Sequence, residues 1–424
     1  MRNGFSYTLG LRGGTFSTNF GRIFAILVLA VLTVTPKLFV EKYLMALWFM
    51  FLVIESNCLF KANRTLSKIG LLGILFVLMC IIYQLAGISS ASLAYCMPEP
   101  FLYFSPIVAL IIIDETNNEQ QIRFLFHFIS LAIAINIADN IRLSHEIGIT
   151  NLAFQQLAGV MEDEGVKGLN LGSSYFVNMA VFYTGIMFMS FLKTRITFEK
   201  ILFFIYFGIG AYFIVMCSMK GSAIILLLVF LALIFIASRS KGNFGKILFF
   251  ALLFGTILYL FRDTFINLLI TIIDNERITE RLIVFTSVDN VSDSSTLMAR
   301  EDLWRVSLRS WLNNPISFIF GIGDHNWEEF SSTAASGVGN HADLLDVLAR
   351  YGLIGGLILY SSIKLLYDYL QKKFGSFFKW EILSFFVVLV LMGFTKKFVR
   401  AECAIAIFIL FPLCLRYYYN ERKL

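Results

Sequence analysis

Charge is what this chain has least of. Asp, Glu, Lys and Arg make up 15% of its 424 residues, where a soluble domain carries about 25%. A water-soluble globular class is therefore excluded. Proline is scarce too, with six residues in the whole chain. The six cysteines (Cys58, Cys80, Cys96, Cys217, Cys403, Cys414) lie in or beside apolar runs without CxxC spacing. They read as small buried hydrophobes, which excludes a disulfide framework or a thiolate metal site. With four histidines and no carboxylate cluster of metal-site spacing in the loops, no metal is expected. Internal repeats, low-complexity tracts and a soluble domain are also missing.

What is present is apolar: 58% hydrophobic and 16% aromatic residues, with a mean hydropathy of +0.76. This composition predicts an all-α polytopic membrane protein. At about 20 apolar residues per crossing, about twelve spans are expected, at 23–40, 43–60, 69–87, 95–113, 124–141, 174–192, 201–217, 221–237, 247–261, 350–370, 380–395 and 401–415. No cleavable signal peptide is evident, since the first apolar run begins near Ile23, after Arg2, Arg12 and Arg22. The net charge of +6 does not point to nucleic acid, because Lys and Arg gather in short cytoplasmic loops for topological reasons. The basic loops around Lys61/Arg64/Lys68, Lys193/Arg195/Lys200, Arg239/Lys241/Lys246, Lys364/Lys372/Lys373/Lys379 and Arg416/Arg422/Lys423 all fall on one side in a twelve-span count. That side is the cytoplasm, and both termini share it. Residues 1–424 then form a single transmembrane domain. Two long loops lie outside, about 142–173 and about 262–349, and the second is large enough to hold short helices.

The polar, basic and aromatic residues concentrate in Ser292–Gly356, nearly all of it within that second loop. In 298–312, Leu303, Trp304, Leu308, Trp311 and Leu312 recur at helical spacing, predicting an amphipathic helix at the outer face, with Arg300, Arg305 and Arg309 along other directions. Trp and Arg there serve equally as interfacial anchors. Pro315 is expected to end the helix, and residues 320–326 (FGIGDHN) form a glycine-rich turn beside which His325 is a substrate-side contact. Asn340 is an N-cap with Asp343 as a capping-box-like partner, which makes His341 the first residue of a helix. The positive end of that helix disfavours protonated imidazole, as a general base requires, although a packed, hydrogen-bonded His fits the same position. On this helix Asp343, Asp346 and Arg350 share the face opposite the leucines, and Asp346 and Arg350 are spaced as an i,i+4 pair. Two further features stand outside the loop. Lys220, in Ser218–Ser222 (SMKGS), sits at the external end of two spans, and Lys396, Lys397 and Arg400 lie on the outward side, against the positive-inside tendency. Glu55 is an intramembrane acid, and the sequence offers no partner for His127 or His145.

The order R-x-x-x-W (Arg300, Trp304), then a proline before F-G-I-G (Pro315, Phe320 to Gly323), then N-H-x-x-L-L-x-x-L-x-x-Y-G-L-I-G (Asn340 to Gly355) resembles the O-antigen ligase and O-antigen polymerase superfamily. These are multi-span bacterial inner-membrane glycosyltransferases that take glycan from an undecaprenyl-pyrophosphate carrier at the periplasmic face. The resemblance implies that Arg300 is a pyrophosphate or catalytic contact and that His341 is the base that activates an acceptor hydroxyl. Lys220 stands where family members often carry an arginine on the carrier's phosphates. It keeps the charge and loses the bidentate fork.

The expectation is therefore a metal-independent, cofactor-free glycosyltransferase. Lys220, Arg300, Arg305, Lys396, Lys397 and Arg400 would supply positive charge, while Trp304, Trp311 and Trp327 are suited to stacking on sugar rings. The expected partners are a lipid-linked oligosaccharide and the bilayer, and a chain-length regulator protein is admissible. The acidic H-A-D-L-L-D pattern and Lys220 favour polymerase over ligase. A lipid-linked oligosaccharide flippase is the alternative from another class, and the lack of an internal repeat counts against it.

Overall fold

The computed structural model describes residues 64–86, 119–146, 174–217, 221–239, 296–323, 342–395, 403 and 405–423. Within them the chain is almost entirely helical and contains no strand. The helices are α1 (Arg64–Leu85), α2 (Glu119–Glu146), α3 (Ser174–Lys193), α4 (Thr197–Tyr212), α5 (Gly221–Arg239), α6 (Thr296–Leu312), α7 (Pro315–Phe320), α8 (Asp343–Thr395) and α9 (Phe411–Lys423). A π-helical turn, Phe213–Cys217, extends α4, and a second, Ile405–Leu410, leads into α9.

Five of the described helices are long and apolar enough to cross a membrane: 68–85, 122–142, 176–193, 197–215 and 344–394. Residues 223–238 and 405–419 form shorter apolar helices. The expected spans from 69–87, 124–141, 174–192, 201–217 and 221–237 all find a helix. Those at 23–40, 43–60, 95–113 and 247–261 lie outside the described residues, as does most of the 262–349 loop.

Helix α8 covers two expected spans in one element of 53 residues, too long for one crossing. It is not a rod. Backbone angles leave the helical region at Gly352 and at Phe378. Tyr367 and Phe386 bring their rings within 5.1 Å, and the Gln371 amide donates to the Lys379 carbonyl at 2.9 Å. Nineteen residues of straight helix would span about 28 Å, so the chain doubles back at Phe378 into an antiparallel pair. The two arms are the expected spans 350–370 and 380–395, joined by a turn too tight to read as a loop.

The chain divides into two compact units. One gathers α2, α3, α4 and α9. Here Gly210 lets α4 approach α3 so closely that a Cβ would overlap the Thr184 hydroxyl. Phe126, Phe203, Tyr417 and Tyr418 pack together, with Phe126 lying 5.7 Å from Phe203 and 5.3 Å from Tyr417. Beside them Glu199, starting α4, accepts from the Tyr417 hydroxyl at 2.8 Å and from Thr194 at 3.1 Å. His127, for which the sequence offered no partner, lies 3.7 Å from this carboxylate and stacks on Phe203. At the other end of α2, His145 meets the Tyr212 hydroxyl at 3.0 Å. The second unit gathers α5, α6, α7 and α8 with the end of α1 from Leu78 onward.

Removing the Tyr417 hydroxyl leaves a largely buried carboxylate short of a donor, at a loss of about 1–3 kcal/mol. Tyr417→Phe is expected to lower the apparent Tm of the detergent-solubilised protein, read by a thermal melt.

Candidate functional site

The site is built where α7 runs into the break in α8. α7 starts at Pro315, which does not simply end the preceding helix as expected: it occupies the first position of the next one. Its missing N–H is harmless there and its fixed φ suits the turn. Asn314 caps α7 in a full capping box, accepting from the Ser317 N–H at 2.8 Å while its own N–H donates to the Ser317 hydroxyl at 3.0 Å. Trp311 stacks on Phe318 at 5.1 Å and donates its indole N–H to the Phe318 carbonyl at 2.9 Å. α6 and α7 are thereby held as one corner.

At the end of α7 the F-G-I-G turn inserts into α8. Gly321 and Gly352 both have positive φ, at 81° and 65°, a region that costs L side chains dearly. The break at Gly352 strands the carbonyls of the preceding turn. Ile322 donates its N–H to Ala349 O at 2.8 Å and Gly323 donates to Arg350 O at 3.0 Å. Each glycine also presses on the other's strand. A Cβ on Gly321 would collide with the Arg350 carbonyl, and one on Gly352 with that of Ile319. The Tyr83 hydroxyl, from α1, donates to the Phe320 carbonyl and lies 3.3 Å from the Tyr351 carbonyl. The Tyr360 hydroxyl reaches the Leu344 carbonyl at 2.5 Å, sixteen residues back, or about 24 Å in a straight helix, so α8 folds sharply at Gly352. F-G-I-G and Y-G-L-I-G, separate in sequence, are one interlocked structure.

The first segment of α8 is buried on nearly all sides. Asp346, expected on the helix face shared with Asp343 and Arg350, is 4% exposed. One of its oxygens accepts from the Ser307 hydroxyl of α6 at 2.8 Å, and the other from the Ala342 N–H at 3.0 Å. The carboxylate caps its own helix and binds α6. The inward face of α6 is likewise not its leucines. Ser307 and Ser310 are buried, Val306 and Trp311 pack on Ile322 and Ala349, and Leu308 and Leu312 point outward. Small serines let α6 come close enough for Ser307 to reach Asp346.

Of the site residues read from the sequence, Trp304 is half-buried and Arg305 exposed on α6. Arg300 lies on the same helix, two turns before Ser307, with its side chain outside the described residues. His341, Lys220, His325, Lys396, Lys397 and Arg400 also lie outside them. His341 immediately precedes Ala342, and Lys220 follows the π-turn Phe213–Cys217, a local form often found at functional sites. The structure thus brings α6 and the residue after His341 together, through Asp346. Sequence reasoning missed Asp346, Ser307 and Tyr83. Asp346 carried a faint signal, an acid in the second turn of an expected helix, within reach of an unsatisfied N–H.

The fold and site define a helical, multi-pass membrane protein with a buried polar clasp at a broken helix. Residues 194–360 match the O-antigen ligase family, a segment containing the clasp, both glycines and the π-turn. The match supports the O-antigen polymerase and ligase superfamily, whose members are glycosyltransferase-like enzymes, without separating polymerase from ligase. No curated protein matches the chain.

Alanine at Gly321 or Gly352 adds about 1–3 kcal/mol of backbone strain on top of a clash with main chain that has no room to move. Each substitution is expected to lower the yield of folded protein in membranes sharply. Gly208→Ala, where a Cβ meets nothing within 4 Å, is expected to be neutral in the same immunoblot and size-exclusion assay.

Proposed function

We propose that the protein is an O-antigen (or related surface polysaccharide) polymerase that joins undecaprenyl-pyrophosphate-linked oligosaccharide repeat units at the periplasmic face of the bacterial inner membrane. Support comes from the family match over residues 194–360. The observation that carries the reading is the Asp346 carboxylate, which ties the helix bearing Arg300 to the residue that follows His341.

The chemistry is a displacement at an anomeric carbon. An acceptor hydroxyl forms the new glycosidic bond, the bond to the carrier's pyrophosphate breaks, and undecaprenyl pyrophosphate leaves. His341 takes the hydroxyl proton as general base. Arg300, with Lys220, neutralises the departing pyrophosphate, and Lys396, Lys397 and Arg400 add charge to the same task. Trp304 and His325 contact sugar. The donor arrives already activated, so the reaction as written calls for neither nucleotide nor ATP. Holding the groups rigidly is the protein's main contribution.

Transfer of finished polymer to lipid A-core is the second reading, and the matched family's description as ligase favours it. The acidic residues after His341 and the lysine at position 220 favour polymerase. Deletion followed by gel analysis of lipopolysaccharide separates them. A single repeat unit capped on the core means polymerase, whereas polymer left on the carrier means ligase. Absence of any periplasmic carrier-linked glycan would instead mean a flippase.

In complementation of that deletion, His341→Ala and Arg300→Ala are expected to abolish long-chain glycan with normal membrane insertion. Normal chains in either would sink the assignment. Asp346→Asn keeps the shape and loses an acceptor. If misplacement of the catalytic groups is its effect, turnover per folded molecule falls on the order of 100-fold with donor KM little changed. Ser307→Thr, which keeps the hydroxyl, is expected to stay active where Ser307→Val does not.

A further inference from the structure

The corner formed by α6 and α7 carries apolar side chains that nothing else among the described residues covers. On α7, Ile316 is 69% exposed, and Phe318, Ile319 and Phe320 are exposed as well. On the adjoining turns of α6, Leu308 and Leu312 also face outward, Leu312 by 58%. A six-residue helix with four exposed large hydrophobic side chains is a poor surface for water. The depth of this corner is fixed by a separate contact. The Phe320 carbonyl accepts from Tyr83, and Tyr83 lies inside the candidate span 68–85, two residues or about 3 Å from its end. α7 therefore ends beside the last turn of a candidate membrane-spanning helix. Arg305 and Arg309 are exposed on α6 beside the leucines, as cations are where an interfacial helix meets anionic headgroups.

We propose that α7 is a membrane wedge. Its apolar face, with Leu308 and Leu312, sits among the acyl chains of one leaflet, and Arg305 and Arg309 engage the phosphates of anionic phospholipids above them. The occupant of this surface is the bilayer itself. The proposal does not depend on glycosyl transfer: it follows from exposure, depth and charge, and holds whichever reaction the site performs. Its consequence is mechanical. The corner is welded to the interlock by Trp311, Phe318 and the Gly321–Gly323 turn, so lipid contact sets the height of α6 relative to the broken helix.

The test uses the full-length protein in vesicles, with Ile316→Trp compared with the unsubstituted protein so that the signal of the five native tryptophans is subtracted. Phospholipids brominated high on the acyl chain are expected to quench most of the fluorescence at that position, while aqueous iodide has little effect. Ile319→Trp serves as the second probe should the first variant fold poorly. Strong iodide quenching with no bromine quenching at both positions overturns the wedge. In mixed vesicles, bromine carried on an anionic phospholipid is expected to quench more than bromine on a zwitterionic one, and Arg305→Gln with Arg309→Gln is expected to erase that difference. Equal quenching by the two headgroups in the unsubstituted background overturns the assignment of the arginines.

Discussion

Everything in the second unit depends on one requirement, that the carbonyls freed where α8 breaks at Gly352 find donors. Near lipid there is little water to supply them, and each unmet group costs several kcal/mol. The chain answers with main chain. Ile322 and Gly323 give their N–H groups to Ala349 and Arg350, and Tyr83 adds a side-chain donor to the turn. Two backbones can come this close only without side chains between them, hence glycine at 321 and 352. The break, the turn and the two positive-φ residues are therefore one feature. None is stable without the others, and together they fix where α7 and the first segment of α8 must lie.

Asp346 extends the same logic to charge. A carboxylate that is nearly inaccessible is tolerated when its oxygens are occupied by well-placed donors. Here one donor comes from α6 and the other from the start of its own helix. The second bond is an ordinary solution to an orphan N–H, turned inward so that the first is possible. A side chain that looks like a helix cap thus doubles as the fastener between two elements, and rigid elements hold a constellation better than loops do.

Much of this architecture is legible in sequence. Long apolar runs mark α1 to α5 and both arms of α8, since hydrophobic length alone decides a crossing. The motif residues of 300–355 locate the site. What is not legible is contact. Thirty residues separate Gly321 from Gly352, and no periodicity says that their backbones touch. Helical spacing put Asp346 on the face opposite the leucines, and a wheel drawn for one helix has no knowledge of a serine arriving from another. The leucines of α6 were read as part of an amphipathic stripe, but Leu308 and Leu312 face outward, and Ser307 and Ser310 form the buried side. His127 needed Glu199, 72 positions away, before it had a partner. The residues proposed for the chemistry, His341 and Lys220 among them, rest on their motif, and the structure describes what flanks them.

The depth of the interlock bears on why such a break exists at all. A continuous helix through Gly352 would have satisfied its own carbonyls and needed neither glycine. Breaking it beside the last turn of α1 would, under the membrane-wedge proposal, put helix termini and a buried carboxylate near the plane of the lipid phosphates. On the proposed reading that is the plane in which the carrier's pyrophosphate lies, with its isoprenoid tail below and its sugars above. A catalytic centre for such a donor has to be polar within a few ångströms of the hydrocarbon boundary. It must also be rigid there, where free loops would leave backbone groups unpaired. Folding irregular backbone into protein, with each N–H and carbonyl assigned a partner, meets both demands. The glycines that make the interlock possible are then as much a part of the site as the side chains that touch the substrate.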